Sequence, residues 1–159
     1  PVAPFLRMAS KKIPNLVGVK YSHSDLSDLL ECTILDGGRF EVLYGCDEML
    51  LGAIAMGVRG AVGSTYNFAA PIYLEMMEAF EKGDVEKTRV MQEKSIGLVR
   101  LIQEFGGISG GKAIMGSLAV ECGPVRAPLH KLTKDEIQTL RDKFMVLSSL
   151  DKLSNPHTV

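Results

Sequence analysis

The fold of this chain is indicated first by one apolar run, Asn15-Leu16-Val17-Gly18-Val19-Lys20-Tyr21-Ser22. A short continuous run of this kind is typical of a strand that is buried on both faces of a parallel sheet. Lys20 stands at its end. Taking an ammonium group out of water costs free energy, so burial predicts some neutral amine near neutral pH, and a neutral amine can form a Schiff base with a ketone. The alternative is a lysine that simply extends from a strand end into water.

Two later segments have the same form, a short strand followed by polar groups. The first is Phe40-Glu41-Val42-Leu43-Tyr44-Gly45-Cys46-Asp47-Glu48, and the second is Gly60-Ala61-Val62-Gly63-Ser64-Thr65-Tyr66-Asn67. In parallel α/β barrels and sheets, functional sites are built at the carboxyl ends of the strands. The three segments are therefore expected to bring their polar groups to one rim.

These segments together resemble the class I aldolases of the dihydrodipicolinate synthase and N-acetylneuraminate lyase family, from about Ile13 to the last helices. The resemblance implies an α/β fold that is the C-terminal portion of a (β/α)8 barrel, about its last three strands, followed by a helical C-terminal extension. A complete barrel takes about 250 residues, whereas this chain has 159. We expect one partial domain, with barrel units over 1–83 and the extension over 84–159, as a truncated product or a gene-model fragment.

Several helices are expected between and after the strands from their apolar periodicity. Asp84 is a candidate N-cap for a long helix, and Thr133-Lys134-Asp135-Glu136 is a capping box for the last one. A frayed tail is expected over 155–159. The predicted helices cover 1–13, 24–35, 49–56, 71–82, 84–105, 112–120 and the residues after Thr133.

The resemblance also assigns roles at the rim. It makes Lys20 the residue that forms an imine with pyruvate, and it makes Asp47 and Glu48 acceptors for the hydroxyls of a sugar-derived substrate. The two acids could equally complement a helix dipole, and both roles are compatible. The substrate-binding set that the resemblance implies is Ser22, Gly45, Asp47, Glu48, Gly63 and Ser64, with no metal and no cofactor.

The implied reaction is cleavage of N-acetylneuraminate to N-acetylmannosamine and pyruvate, by a homotetramer when the protein is full length. One alternative is the same imine chemistry with another aldehyde, as in dihydrodipicolinate synthase or a 2-keto-3-deoxy sugar acid aldolase. Another is a silent truncated form that acts only by association. The carboxylate-binding segment and the proton-relaying tyrosine of the family lie upstream of the lysine strand and have no counterpart here, so we expect the chain alone to be inactive.

Composition limits the possible partners. The formal net charge is −1, which gives no electrostatic reason to expect binding to nucleic acid or to an anionic membrane. The three cysteines, Cys32, Cys46 and Cys122, form no CxxC pair. This pattern argues against disulfides and metal and favours a reducing, cytoplasmic compartment.

Overall fold

A computed structural model describes residues 1–153, with side chains as far as Leu147. The described chain alternates helices and strands in its first part and is helical afterwards. Its elements are α1 (Val2–Ala9), β1 (Gly18–Tyr21), α2 (Leu26–Ile34), β2 (Glu41–Tyr44), α3 (Leu50–Ala55), β3 (Gly60–Ala61), α4 (Tyr66–Glu81), α5 (Val85–Glu104), α6 (Ile108–Ser117) and α7 (Lys134–Leu153), with 3₁₀ turns at Leu35–Gly37 and Asp47–Met49. The predicted tail over 155–159 lies outside the described residues.

The strands form one parallel sheet in the order β1-β2-β3. Lys20 is in register with Leu43, and Leu43 with Gly60. The hydrogen-bond ladder continues past the strand ends, because the Gly45 amide donates to the Tyr21 carbonyl at 2.8 Å. All carboxyl ends therefore meet at one edge, as the sequence predicts.

The expected burial of β1 on both faces is wrong for this chain. Lys20 is exposed, and the side chain of Val17, just before the strand, is 77% exposed. Only Tyr21 in this strand is fully buried. The reason is that, within the described residues, β1 is an outer strand whose only partner strand is β2. The described residues leave much of its surface open to solvent.

Local capping explains where several helices begin. The Asp25 side chain accepts hydrogen bonds from the first backbone N–H groups of α2, so this helix begins at Leu26. The predicted N-cap at Asp84 is confirmed, since its carboxylate accepts from the Lys87 amide at 3.0 Å. The capping box before α7 is also confirmed: Thr133 and Glu136 each accept from the other's backbone N–H, at 3.2 Å and 2.7 Å.

Two helices begin earlier than their sequences indicate. α4 begins at Tyr66 although Pro71 lies inside it, and the backbone is irregular at Ala69, with φ −136°. Because of this break, Pro71 lies in the first turn of the regular part, where proline is tolerated. α6 begins at Ile108 and contains Gly110, where an added Cβ would lie 2.9 Å from the Ile102 carbonyl oxygen. Glycine is thus kept in α6 by close packing on the preceding helix.

The chain divides into two compact units. The first comprises Pro1–Gly63 and Pro71–Gln92 and holds the sheet; the second comprises Ser64–Ala70 and the described residues from Glu93 onward. The first unit has a core that includes Leu6, Tyr21, Leu29, Tyr44 and Leu50, and the second includes Leu98, Ile114 and Leu140. None of the helices in the described residues combines the length and the apolar character needed to cross a membrane.

Candidate active site

Lys20 lies close to the loop that follows β2. An added Cβ on Gly45 would lie 2.6 Å from Lys20 Cε and would overlap the Ser22 hydroxyl oxygen. Only a glycine therefore fits here without moving its neighbours. The contact brings the lysine, the serine and the start of the second polar loop together at the carboxyl edge of the sheet.

The two acids follow Gly45 in a 3₁₀ turn and differ in environment. Asp47 is only 6% exposed, whereas Glu48 is half-buried. The backbone of Gly63, after β3, packs directly against the Asp47 carboxylate: an added Cβ there would overlap Oδ1 and lie 2.7 Å from Cγ. The acid-bearing turn is thereby fixed against the end of β3.

Two buried tyrosines, Tyr21 and Tyr44, stabilise the loop that follows β1. The rings of Tyr21 and Tyr44 stack with centroids 6.3 Å apart. Tyr44 donates to the His23 carbonyl at 3.2 Å, and Tyr21 donates to the Asp25 carbonyl at 2.8 Å. Burial, with a smaller contribution from the Cys46 thiol, raises the pKa of Tyr44 to about 12, and burial together with Asp28 raises the pKa of Tyr21 further. Both hydroxyls are therefore protonated donors at neutral pH, and they hold the loop between β1 and α2.

Cys46 lies between Gly45 and the acids and is half-buried. Burial raises the pKa of its thiol, and the charge of Glu48 raises it further. Since the thiolate is the reactive form, this environment disfavours a nucleophilic role for Cys46.

Ser64 belongs to the second compact unit, whereas the other candidate residues belong to the first. It is exposed, and its carbonyl accepts from the Asn67 side chain at 2.9 Å. This contact forms the turn from which α4 begins. The first unit brings together Lys20, Ser22, Gly45, Asp47, Glu48 and Gly63.

One residue near the site is missed by reasoning from sequence. Gln92 on α5 is 8% exposed, and its side chain bonds to the Asp47 carbonyl of the acid-bearing turn and to the Leu51 amide of α3. The one signal for it is a polar residue beside buried Met91 on a helix, and that signal does not identify the partner.

Comparison with known proteins gives a consistent picture. Residues 4–146 match the model of the dihydrodipicolinate synthetase family. The N-acetylneuraminate lyase of Danio rerio is 38% identical over 145 residues, which are 89% of this chain and 47% of that protein. The N-acetylneuraminate lyase of Homo sapiens is 38% identical over 148 residues, 90% of this chain and 45% of that protein.

Solved structures of N-acetylneuraminate lyases are also similar to this chain. The N-acetylneuraminate lyase of Proteus mirabilis superposes with a TM-score of 0.88 at 36% identity, over 92% of this chain and 50% of that one. The sialic acid aldolase of Aliivibrio salmonicida gives 0.87 at 39% identity, over 91% and 48%. This chain therefore spans about half the length of the relatives it matches, and its three-stranded sheet is part of their barrel fold. On the family match, the sequence identity and the superposition together, the chain belongs to the dihydrodipicolinate synthetase family.

Proposed function

We propose that this chain is part of a Schiff-base aldolase that cleaves N-acetylneuraminate to N-acetylmannosamine and pyruvate. The observation that carries the proposal is the position of Lys20, at the carboxyl edge of the sheet and in close contact with Gly45. The acid-bearing turn follows directly. The relatives at 38% identity are named N-acetylneuraminate lyase, which supports the choice of substrate.

In the proposed reaction the neutral amine of Lys20 attacks the ketone carbon of the open-chain sugar acid, and water leaves. The protonated imine accepts the electron pair of the carbon–carbon bond as that bond breaks. The hydroxyl on the departing carbon loses its proton as the bond breaks and becomes the carbonyl group, so N-acetylmannosamine departs as the aldehyde. The remaining enamine takes up a proton, and hydrolysis of the imine releases pyruvate and regenerates the amine. The family resemblance assigns the transfer of this hydroxyl proton to a tyrosine outside the candidate residues described above.

Asp47 and Glu48 are proposed to recognise the hydroxyls of the departing sugar. A polyol needs several fixed acceptors, because each buried polar group left without a partner costs about 1–3 kcal/mol. The fixed position of Asp47 against Gly63 supports this role. The remaining assignments, a hydroxyl from Ser22, a carbonyl from Gly45, space at Gly63 and a hydroxyl from Ser64, stay predictions.

The same imine chemistry with another aldehyde is the second candidate. Two adjacent carboxylates near the lysine favour a polyhydroxylated substrate over a small aldehyde.

Three other expectations stay predictions: the division between barrel units and extension, the homotetramer and the cytoplasmic location.

Trapping of the imine tests the proposal. Incubation of an active form of the protein with pyruvate and borohydride should add a pyruvate-derived mass at Lys20, because borohydride reduces the imine to a stable amine. Lys20→Ala should abolish both the label and the cleavage of N-acetylneuraminate. A label on another lysine, or activity that survives Lys20→Ala, would show that the assignment is wrong.

A variant of Glu48 distinguishes imine formation at Lys20 from recognition of the sugar hydroxyls. Glu48→Gln removes one acceptor charge but leaves Lys20 and Gly45 in place. We expect it to weaken cleavage by roughly 10-fold or more while pyruvate trapping continues. Loss of trapping in a folded Glu48→Gln protein would contradict the division of roles.

A further inference from the structure

Gln92 interrupts the hydrogen-bond pattern at the start of α3. In an α-helix, the Leu51 amide would donate to the Asp47 carbonyl four residues earlier. Here the side chain of Gln92 lies between these two groups: its Oε1 accepts from the Leu51 amide at 2.7 Å, and its Nε2 donates to the Asp47 carbonyl at 3.4 Å. A side chain inserted into the ladder in this way distorts the helix locally.

The insertion accounts for the shape of the acid-bearing turn. The Asp47 carbonyl accepts from Leu50, three residues on, so the turn is 3₁₀ and the regular helix begins only at Leu50. The main chain of Asp47 is thus held from the side of α5 by Gln92, and its carboxylate is held from the side of β3 by Gly63. All of these residues lie within the first compact unit.

Because Gln92 is buried, the loss of its side-chain hydrogen bonds would cost free energy. The residue is 8% exposed. A buried amide without partners costs about 1–3 kcal/mol, so it is constrained to keep its hydrogen bonds. One of them goes to the Asp47 carbonyl in the acid-bearing turn, and the other comes from the Leu51 amide in the first turn of α3. Lys20 is on β1, and its Cε lies against Gly45, as does the Ser22 hydroxyl.

We propose that Gln92 is a positioning residue for substrate recognition: its side-chain amide sets the orientation of Asp47 and Glu48 toward the hydroxylated part of the substrate. Imine formation at Lys20 does not depend on it. This inference rests on the proposed function, because it gives the acid-bearing turn a polyol ligand.

The test uses two variants of Gln92 in a form of the protein that cleaves N-acetylneuraminate. Gln92→Met has a similar length and removes both hydrogen bonds. Gln92→Glu keeps an acceptor for the Leu51 amide and, when ionised, loses the donor to the Asp47 carbonyl. The matched control is Thr88→Val, one turn earlier on α5. Thr88 is fully buried, and its hydroxyl bonds within α5's own first turn, to the Asp84 carbonyl at 2.6 Å.

Two readouts distinguish positioning from general structural damage. Gln92→Met should lower kcat/KM for N-acetylneuraminate by about 10-fold or more, since a small displacement of binding groups has effects of this size. Its rate of pyruvate trapping at Lys20 should stay within about twofold. Gln92→Glu should lower kcat/KM by an intermediate factor relative to the unsubstituted protein. This factor should become smaller as the pH falls, because a protonated carboxyl group can again donate a hydrogen bond to the Asp47 carbonyl. Thr88→Val should leave both readouts near those of the unsubstituted protein.

Several results would overturn the inference. One is a folded Gln92→Met protein with unchanged cleavage, and another is equal loss of cleavage and trapping. Failure of both Gln92 variants to fold, or an equal defect in Thr88→Val, would make Gln92 a general stabilising residue. If the unsubstituted protein traps pyruvate but does not cleave N-acetylneuraminate, the proposed substrate is wrong and this inference fails with it.

Discussion

At the scale of single residues, Gly45 controls the geometry around Lys20. We predict that Gly45→Ala slows pyruvate trapping at Lys20 by roughly 10- to 100-fold, because the new methyl group must displace Lys20 Cε or the Ser22 hydroxyl. The rate of borohydride trapping measures this directly. Gly111→Ala is the control, since an added Cβ there meets nothing within 4 Å. Equal trapping rates in the two variants would contradict a steric role for Gly45.

The rim residues could be predicted from sequence, whereas their support could not. Lys20, Gly45 and Asp47 follow from a general rule, because polar groups after parallel strands meet at one edge. The expected burial of β1 on both faces is wrong and Lys20 is exposed, which matches the alternative of a lysine that extends into water, because burial depends on what lies beside β1 and not on β1 itself. Gln92 contacts a turn more than 40 residues away. A contact of that range leaves no local pattern in the sequence.

At the scale of elements, α1 is attached to α2 by one buried carboxylate. Asp28 accepts from the Val2 and Ala3 amides at 2.7 Å and 3.0 Å, and it shares the Tyr21 hydroxyl proton, at 3.1 Å, with the Asp25 carbonyl. Burial alone would raise the pKa of Asp28, but these hydrogen bonds outweigh it and the pKa is lowered. A carboxylate at the N-terminus of α1 also complements the helix dipole.

This attachment should depend on pH. Because the pKa of Asp28 in the folded chain is below its ordinary value of 3.8, its stabilising contribution is complete above that value and is lost as the pH falls below it. We predict that Asp28→Asn weakens the attachment of α1 by about 1–3 kcal/mol at neutral pH. Hydrogen exchange of the α1 amides in the variant should be faster at neutral pH, and the difference from the unsubstituted protein should shrink at acid pH.

The matched control is Asp36→Asn, which makes the same change of charge at an exposed position. It should leave the exchange of the α1 amides unchanged. If Asp28→Asn and Asp36→Asn gave the same exchange at neutral pH, Asp28 would not hold α1.

The ends of the helices show which of their features depend only on residues nearby in the sequence. The N-caps at Asp84 and Thr133 were predicted correctly because a cap and its partner lie within one turn. The start of α6 was predicted too late, because glycine disfavours helix in isolation. Gly110 is helical in this chain because α6 packs closely on the Ile102 carbonyl, and this packing overrides the local preference.

At the scale of the whole molecule, the sheet has two outer strands, β1 and β3. An outer strand offers backbone N–H and C=O groups to any other strand that can pair with them. Large apolar side chains of the first compact unit are also open to solvent: Phe5 is 54% exposed, Met8 63% and Val17 77%. Exposed apolar groups and open edges together favour association.

We predict that the 159-residue chain, purified alone, self-associates and has little or no lyase activity. Light scattering during size-exclusion chromatography measures the association, and pyruvate release from N-acetylneuraminate measures the activity.

Val17→Lys should reduce association, because a charge beside an outer strand discourages pairing, and it should not create activity. Met145→Lys is the control: Met145 is 67% exposed and lies in the second compact unit, away from the sheet in sequence. A monodisperse monomer that turned over at about 1 per second or faster would refute the prediction, because that is an ordinary enzymatic rate. It would also mean that the proton transfer and carboxylate binding of the reaction are supplied by residues of this chain.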